Sequence, residues 1–293
     1  MKIIDGKLIS EQIKKEIAKE VVQFVDNEPR GPHLAAVIVG NDPASMTYVG
    51  AKERACKSVG ITSSVYNLSE QTTEEELLQL VDFLNEDPDV DGFIVQLPLP
   101  AHLDEQKVIN AIRPEKDVDG FHPINLGKMV LGIDTMVSAT PNGILELLSR
   151  YKIDTAGKHC VVVGRSNIVG TPVSILLSRK GYPGDATVTL CHSKTPNLSE
   201  LTLQADILIV AIGKPEFVDE SMVKSGAVVI DVGIHRIEDS TKNNGYRLVG
   251  DVNFNSVSKK ASHISPVPGG VGPMTIAALL MNTLKAFKTS QIK

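Results

Sequence analysis

Val161-Val162-Val163-Gly164-Arg165-Ser166-Asn167-Ile168-Val169-Gly170-Thr171-Pro172 is an apolar run, then a glycine-bearing turn, then the opening of a helix. The run predicts a buried strand whose carboxyl end leads directly into a helix N-terminus. Backbone N–H groups there lack helical acceptors and carry partial positive charge, so a turn without side-chain bulk lets a diphosphate approach them. Ser166 replaces the middle glycine of the usual Gly-x-Gly-x-x-Gly pattern, and Gly170 lies one residue beyond its last. Taken alone, the pattern is equally compatible with an ordinary strand-turn-helix connection.

The next strand is predicted over 186–190 and runs into Cys191-His192-Ser193-Lys194-Thr195. A dinucleotide fold reads the adenosine ribose at this point, and an acidic residue there favours NAD. This turn has no carboxylate to repel a 2′-phosphate and has hydroxyl, imidazole and ammonium groups to receive one, so NADP is the better match. A solvated basic turn is the alternative for the segment in isolation.

A chain of 293 residues with 42% hydrophobic and 22% charged residues has room for two domains and a substantial core. The net charge of −5 is interspersed along the chain, which argues against a nucleic acid or an anionic membrane surface as partner. Cys56, Cys160 and Cys191 are far apart and have no metal-ligand spacing, so a reducing compartment and no metal are expected. Residues 1–7 lack the apolar core of a signal peptide and no run is long enough to span a bilayer, so a cytoplasmic protein is expected.

Leu8, Ile9, Ile13, Ile17, Val21 and Phe24 recur at helical spacing until Glu28-Pro29-Arg30-Gly31-Pro32 breaks the pattern. A strand over 33–39 is followed by Asn41-Asp42-Pro43, a cap and a proline that open a helix to about Val59. A second strand lies near Val65, a helix follows Thr72 or Thr73, and a third strand covers 92–95. The second half repeats the alternation, with strands at 160–163, 186–190, 206–210 and 227–231 and a further one near 247–250. Residues 239–245 read as a loop tip. Strands alternating with amphipathic helices predict parallel sheets, hence an α/β fold. The predicted domains are 1–139, completed by the C-terminal helix 274–293, and a Rossmann-type unit over 140–273, with a cleft between them. Pro266-Val267-Pro268-Gly269-Gly270-Val271-Gly272-Pro273 is stiff and admits close backbone approach, as a ligand loop or an interdomain connection would.

Tyr48 and Lys52 are four apart on a predicted helix and share a face just past the carboxyl end of a strand, where open α/β sheets place ligands. Gln96 follows strand 92–95 at the same rim, and Asp117 and Asp119 lie in a turn-rich segment where one of the two serves as the cap. A desolvated lysine can exchange protons near neutrality, and an amide orients it without an opposing charge. Lys52 with Gln96 is therefore the better proton-transfer pair, and Asp119 is left to hydrogen-bond a ligand's N–H groups.

Six segments, in this order, carry a resemblance: Tyr48 to Lys52, Val95 to Leu99, Pro114 to Gly120, Gly164 to Ser166, His192 to Thr195 and Pro266 to Thr275. Together they resemble the FolD family of bifunctional methylenetetrahydrofolate dehydrogenase/cyclohydrolases over nearly the whole chain. The resemblance implies NADP-dependent oxidation of 5,10-methylenetetrahydrofolate to the methenyl cation and its hydrolysis to 10-formyltetrahydrofolate. It implies Lys52 as the proton-transfer group of hydrolysis, Tyr48 as a wall on the folate that supports Lys52, Gln96 as its tuning partner and Asp119 as the pterin anchor. For NADP it implies Arg165 and Ser193 at the 2′-phosphate, Gly164 and Ser166 at the diphosphate, and Ile234 and Thr275 near the nicotinamide ribose. A homodimer through the cofactor domain is implied too, without the appended synthetase domain of trifunctional relatives.

Two competing readings remain. Tyr-x-x-x-Lys is also the catalytic pair of short-chain dehydrogenases, but there it lies downstream of the dinucleotide turn, whereas here it precedes Gly164 by a whole domain. A non-catalytic NADP-binding sensor is the other. Turnover of methylenetetrahydrofolate, turnover of an alcohol, or binding without turnover distinguishes the three.

Overall fold

Apolar runs without a polar face become strands covered on both sides, and the amphipathic stretches between them become the covering helices. The computed structural model describes residues 1–25, 30–241 and 245–291. Glu28 and Pro29 of the predicted break, and 242–244 of the predicted loop tip, lie outside the described residues. The first half runs β1 (Lys2–Ile3), α1 (Gly6–Val25), β2 (His33–Val39), α2 (Pro43–Ser58), β3 (Thr62–Leu68), α3 (Glu74–Glu86), β4 (Gly92–Val95), α4 (Glu105–Ala111) and α5 (Pro123–Leu131). Then come α6 (Ala139–Arg150), β5 (His159–Val163), α7 (Gly170–Ser178), β6 (Thr187–Cys191), α8 (Leu198–Thr202), β7 (Ile207–Val210) and β8 (Val228–Asp231). The chain continues through β9 (His235–Glu238), β10 (Tyr246–Val249), α9 (Phe254–Val257), β11 (His263–Ile264) and α10 (Val271–Ser290). These elements form two compact units, Met1–Ser10 with Thr140–Thr275, and Glu11–Ala139 with Ile276–Lys293.

The unit of 11–139 and 276–293 has a parallel sheet in the order β3-β2-β4. Ala35, Val37, Phe93 and Val95 from its strands pack with Leu77, Val81 and Leu84 of α3, all buried. Thr73 opens α3 with a reciprocal capping box to Glu76, which satisfies donors the helix start leaves free. Phe287 of α10 meets Phe24 edge to face, the ring centroids 5.4 Å apart.

The other unit has a six-stranded parallel sheet in the order β1-β11-β8-β7-β5-β6. From β5 the chain steps one way to β6, then crosses to β7 on the other side. Strand order reverses at the carboxyl end of β5, the point at which such sheets bind dinucleotides. Residues 1–10 cluster with 140–275 because Lys2 and Ile3 pair with His263 and Ile264. The strand expected near 247–250 is β10, and it stays out of the sheet, pairing antiparallel with β9. The half-exposed alternation of His235–Glu238 gives β9 no face to bury, so β11 and β1 complete the sheet instead.

Candidate active site

Asp42 accepts the N–H of Ser45 at 2.7 Å and Pro43 opens α2, so the cap chemistry read from the sequence starts this helix just past the carboxyl end of β2. Tyr48 is 38% exposed on α2, whereas Lys52, one turn on, is only 8% exposed. Lys52 Nζ donates to Gln96 Oε1 at 3.1 Å, and the Gln96 amide is oriented by its own donation to the Leu97 carbonyl at 2.7 Å. The Gln96 backbone N–H continues the β4 ladder onto Val37 O at 2.8 Å, which fixes the side chain at the sheet's carboxyl rim. The structure therefore brings Lys52 and Gln96 together.

The two aspartates of the 117–119 turn divide their work. Asp117 is buried and its carboxylate accepts the N–H groups of Gly120, Phe121 and His122 and the amide of Asn125, so it is the structural cap. Its backbone bridges Phe93 of β4, and Asn282 of α10 donates to the Val118 carbonyl at 2.8 Å, which holds the turn from two sides. No hydrogen bond engages the Asp119 carboxylate among the described residues. Desolvation raises its pKa above the usual carboxylate range, opposed by the charge of Lys52 and aided by Asp117.

A carboxylate with four donors and one with none differ in what their removal costs. Asp117→Ala is expected to lower unfolding stability by about 3 kcal/mol, since it strands buried donors. Asp119→Asn is expected to leave the urea midpoint unchanged or higher, because it relieves an unpaired carboxyl. Equal losses in the two variants would contradict this division.

In the other unit, Gly164 follows β5 with φ +118°, and a Cβ there would lie 2.0 Å from Ala211 O, so only glycine closes this turn. Gly170 opens α7 against the Gly164 carbonyl under the same constraint, 1.9 Å. Ser166 Oγ accepts the Val169 N–H at 3.2 Å. The N–H groups of Arg165, Ser166, Asn167 and Ile168 have no protein acceptor among the described residues, and these four residues are exposed. Unpaired donors beside a helix N-terminus fit a diphosphate. After β6, His192 N donates to Thr195 Oγ1 at 2.8 Å and Lys194 N to His192 Nδ1 at 3.2 Å, which folds the turn on itself. The side chains of Ser193, Lys194 and Arg165 have no protein partner among the described residues, a donor set suited to a 2′-phosphate.

Ile234 is 47% exposed beyond the end of β8. Thr275 is half-buried and shares a 2.9 Å hydrogen bond with Thr140, a partner that sequence reading missed. It also missed Asp231, Asp251 and His235, whose side chains meet at the carboxyl ends of β7 and β8. The Asp251 carboxylate takes the N–H groups of Ile212, Gly213 and Lys214 and lies 2.8 Å from His235 Nε2.

Asp231 accepts the N–H groups of Gly233, Asp251 and Val252. Burial pushes its carboxyl up to about 7, against the pull of those donors, and Asp251 adds to the rise. An unfolded chain loses this proton near about pH 4, so between the two values the native state holds one proton more. The contribution of Asp231 to stability is complete below that window and is lost as the pH rises through about 7. Urea midpoints of the parent, referred to Asp231→Asn, are expected to fall from pH 4.5 to 7.5; parallel curves would count against the shift.

Two family models match the chain: tetrahydrofolate dehydrogenase/cyclohydrolase, catalytic domain, over 4–119, and its NAD(P)-binding domain over 138–291. The bifunctional protein FolD of Cytophaga hutchinsonii is 62% identical over 98% of this chain and 99% of its own length. The crystal structure of the bifunctional FolD from Campylobacter jejuni superposes with a TM-score of 0.92 at 48% identity, covering 99% of each chain. A Trypanosoma brucei methylenetetrahydrofolate dehydrogenase-cyclohydrolase, complexed with NADP cofactor and inhibitor, gives 0.94 at 39% identity, covering 99% of this chain and 98% of its own. With both domain models matched in order along almost all of its length, this chain belongs to the tetrahydrofolate dehydrogenase/cyclohydrolase family.

Proposed function

We propose that this chain oxidises 5,10-methylenetetrahydrofolate to the methenyl cation with NADP and hydrolyses that cation to 10-formyltetrahydrofolate. Its family membership supports both activities, and the observation that carries the assignment of roles is the hydrogen bond from nearly buried Lys52 to Gln96.

When bound, NADP supplies the acceptor for the hydride leaving the one-carbon bridge. That step needs alignment more than an acid or base, because the folate nitrogens stabilise the cation as it forms. The unpaired N–H groups of 165–168 with Gly164 and Ser166 hold the diphosphate, Arg165 and Ser193 the 2′-phosphate, and Ile234 and Thr275 flank the nicotinamide ribose. Hydration and ring opening, in contrast, require protons to move. Lys52 takes that role, since its nearly buried amine is held in place at the sheet's carboxyl rim by Gln96. Asp119, with no protein donor, anchors the pterin N–H groups, and exposed Tyr48 packs on the folate one helical turn from Lys52.

No helix among the described residues is long and apolar enough to cross a membrane, and the reading places the enzyme in the cytoplasm. It also includes a homodimer assembled through the cofactor domain, to be checked by light scattering on the purified chain. The deciding assay gives the chain methylenetetrahydrofolate with NADP or with NAD and follows reduced cofactor and 10-formyltetrahydrofolate. Alcohol oxidation, or NADP binding without turnover, would replace this reading with one of its competitors.

A further inference from the structure

Gly164 and Ile234 are joined through one buried pair of carboxylates. Asp251 is 0% exposed and Asp231 3%. Asp251 Oδ2 accepts the N–H of Ile212 at 2.7 Å and of Gly213 at 3.1 Å, and Oδ1 accepts that of Lys214 at 2.8 Å. These consecutive donors lie where the chain has left β7 and has no ladder to bond to, so the carboxylate sets the path of the turn. Ala211 stands immediately before this turn, and its carbonyl is the wall that Gly164 packs against. On the other side, Ile234 lies between Gly233, whose N–H is held by Asp231 at 3.0 Å, and His235, whose ring lies against Asp251. The two carboxylates are themselves linked, because Asp251 N donates to Asp231 Oδ1 at 2.9 Å. Gly250 completes the wrapping, since a Cβ there would fall 1.8 Å from Asp231 Oδ2.

All four carboxylate oxygens are engaged by backbone N–H groups, so the pair is tied into the surrounding turns. Among the described residues no cluster is able to hold a metal ion. We infer that Asp251, acting through the 212–214 turn and His235, is a positioning residue that sets two walls of the NADP site without touching the cofactor. This rests on the NADP reading above.

An asparagine at 251 accepts on one oxygen only and turns its amide N–H toward a backbone donor, so the turn must shift. Asp251→Asn is expected to raise the Kd and KM for NADP roughly tenfold or more, with kcat changed much less. His235→Leu, which removes the ring contact, is expected to raise them a few-fold, and His235→Gln, which restores a donor at similar reach, to bring them back. NADP is titrated into the full-length parent and each variant, with urea unfolding as the check on folding.

If the parent does not bind NADP, the cofactor reading falls and this inference with it. If the parent binds and a folded Asp251→Asn binds within twofold of it, or loses kcat alone, only the positioning role falls. Should Asp251→Asn fail to fold, the His235 pair decides: weakened binding in Leu with restoration in Gln supports the role, and any other pattern overturns it.

Discussion

Lys52→Met is expected to abolish hydrolysis of the methenyl cation, cutting its rate by roughly 10²–10⁴-fold, the usual worth of a positioned proton-transfer group. Methionine suits the test because it fills the space of the lysine stem in a site that is already 8% exposed, so the fold has little reason to respond. It loses the donation to Gln96 and with it the amine assigned to move protons there. Methylenetetrahydrofolate oxidation, which requires alignment rather than proton transfer, is expected to fall by a much smaller factor. Both rates are to be measured on the same preparation, and intact hydrolysis would remove Lys52 from the mechanism.

Arg165→Ala is expected to raise the KM for NADP by roughly 10- to 100-fold, the worth of a charge-assisted hydrogen bond to phosphate, while leaving turnover with NAD nearly unchanged. Arg165 is exposed and has no protein partner among the described residues, so its removal breaks no contact within the chain. The ratio of kcat/KM for the two cofactors is the readout, since damage to the phosphate turn itself lowers both together. Equal losses with NADP and NAD would place the guanidinium away from the 2′-phosphate.

The parallel α/β fold was legible because its strands are apolar on both faces, and periodicity reports that directly: β2, β4, β5 and β7 lie within a residue of where the pattern puts them. Two-residue strands carry no period, so β1 and β11 were invisible, and β10 was read without its antiparallel partner β9. At the site, Tyr48 and Lys52 were legible from helical spacing, and Gln96 from its place at a strand end. Asp119 was assigned to the ligand by elimination, whereas the identity of Asp117 as the cap rests on the positions of its four donors, which no local spacing encodes. Asp251 and His235 meet across two loops, a relation that no local spacing encodes.

The pairing of Lys2–Ile3 with His263–Ile264 bears on biosynthesis. During synthesis β1 emerges long before β11, the strand that receives it. Until then the nascent polypeptide exposes the outer margin of β8, the neighbour β11 will cover, as an unsealed hydrogen-bonding rim. Translation arrested before residue 263 would yield a fragment with that rim open, a template for pairing with another chain.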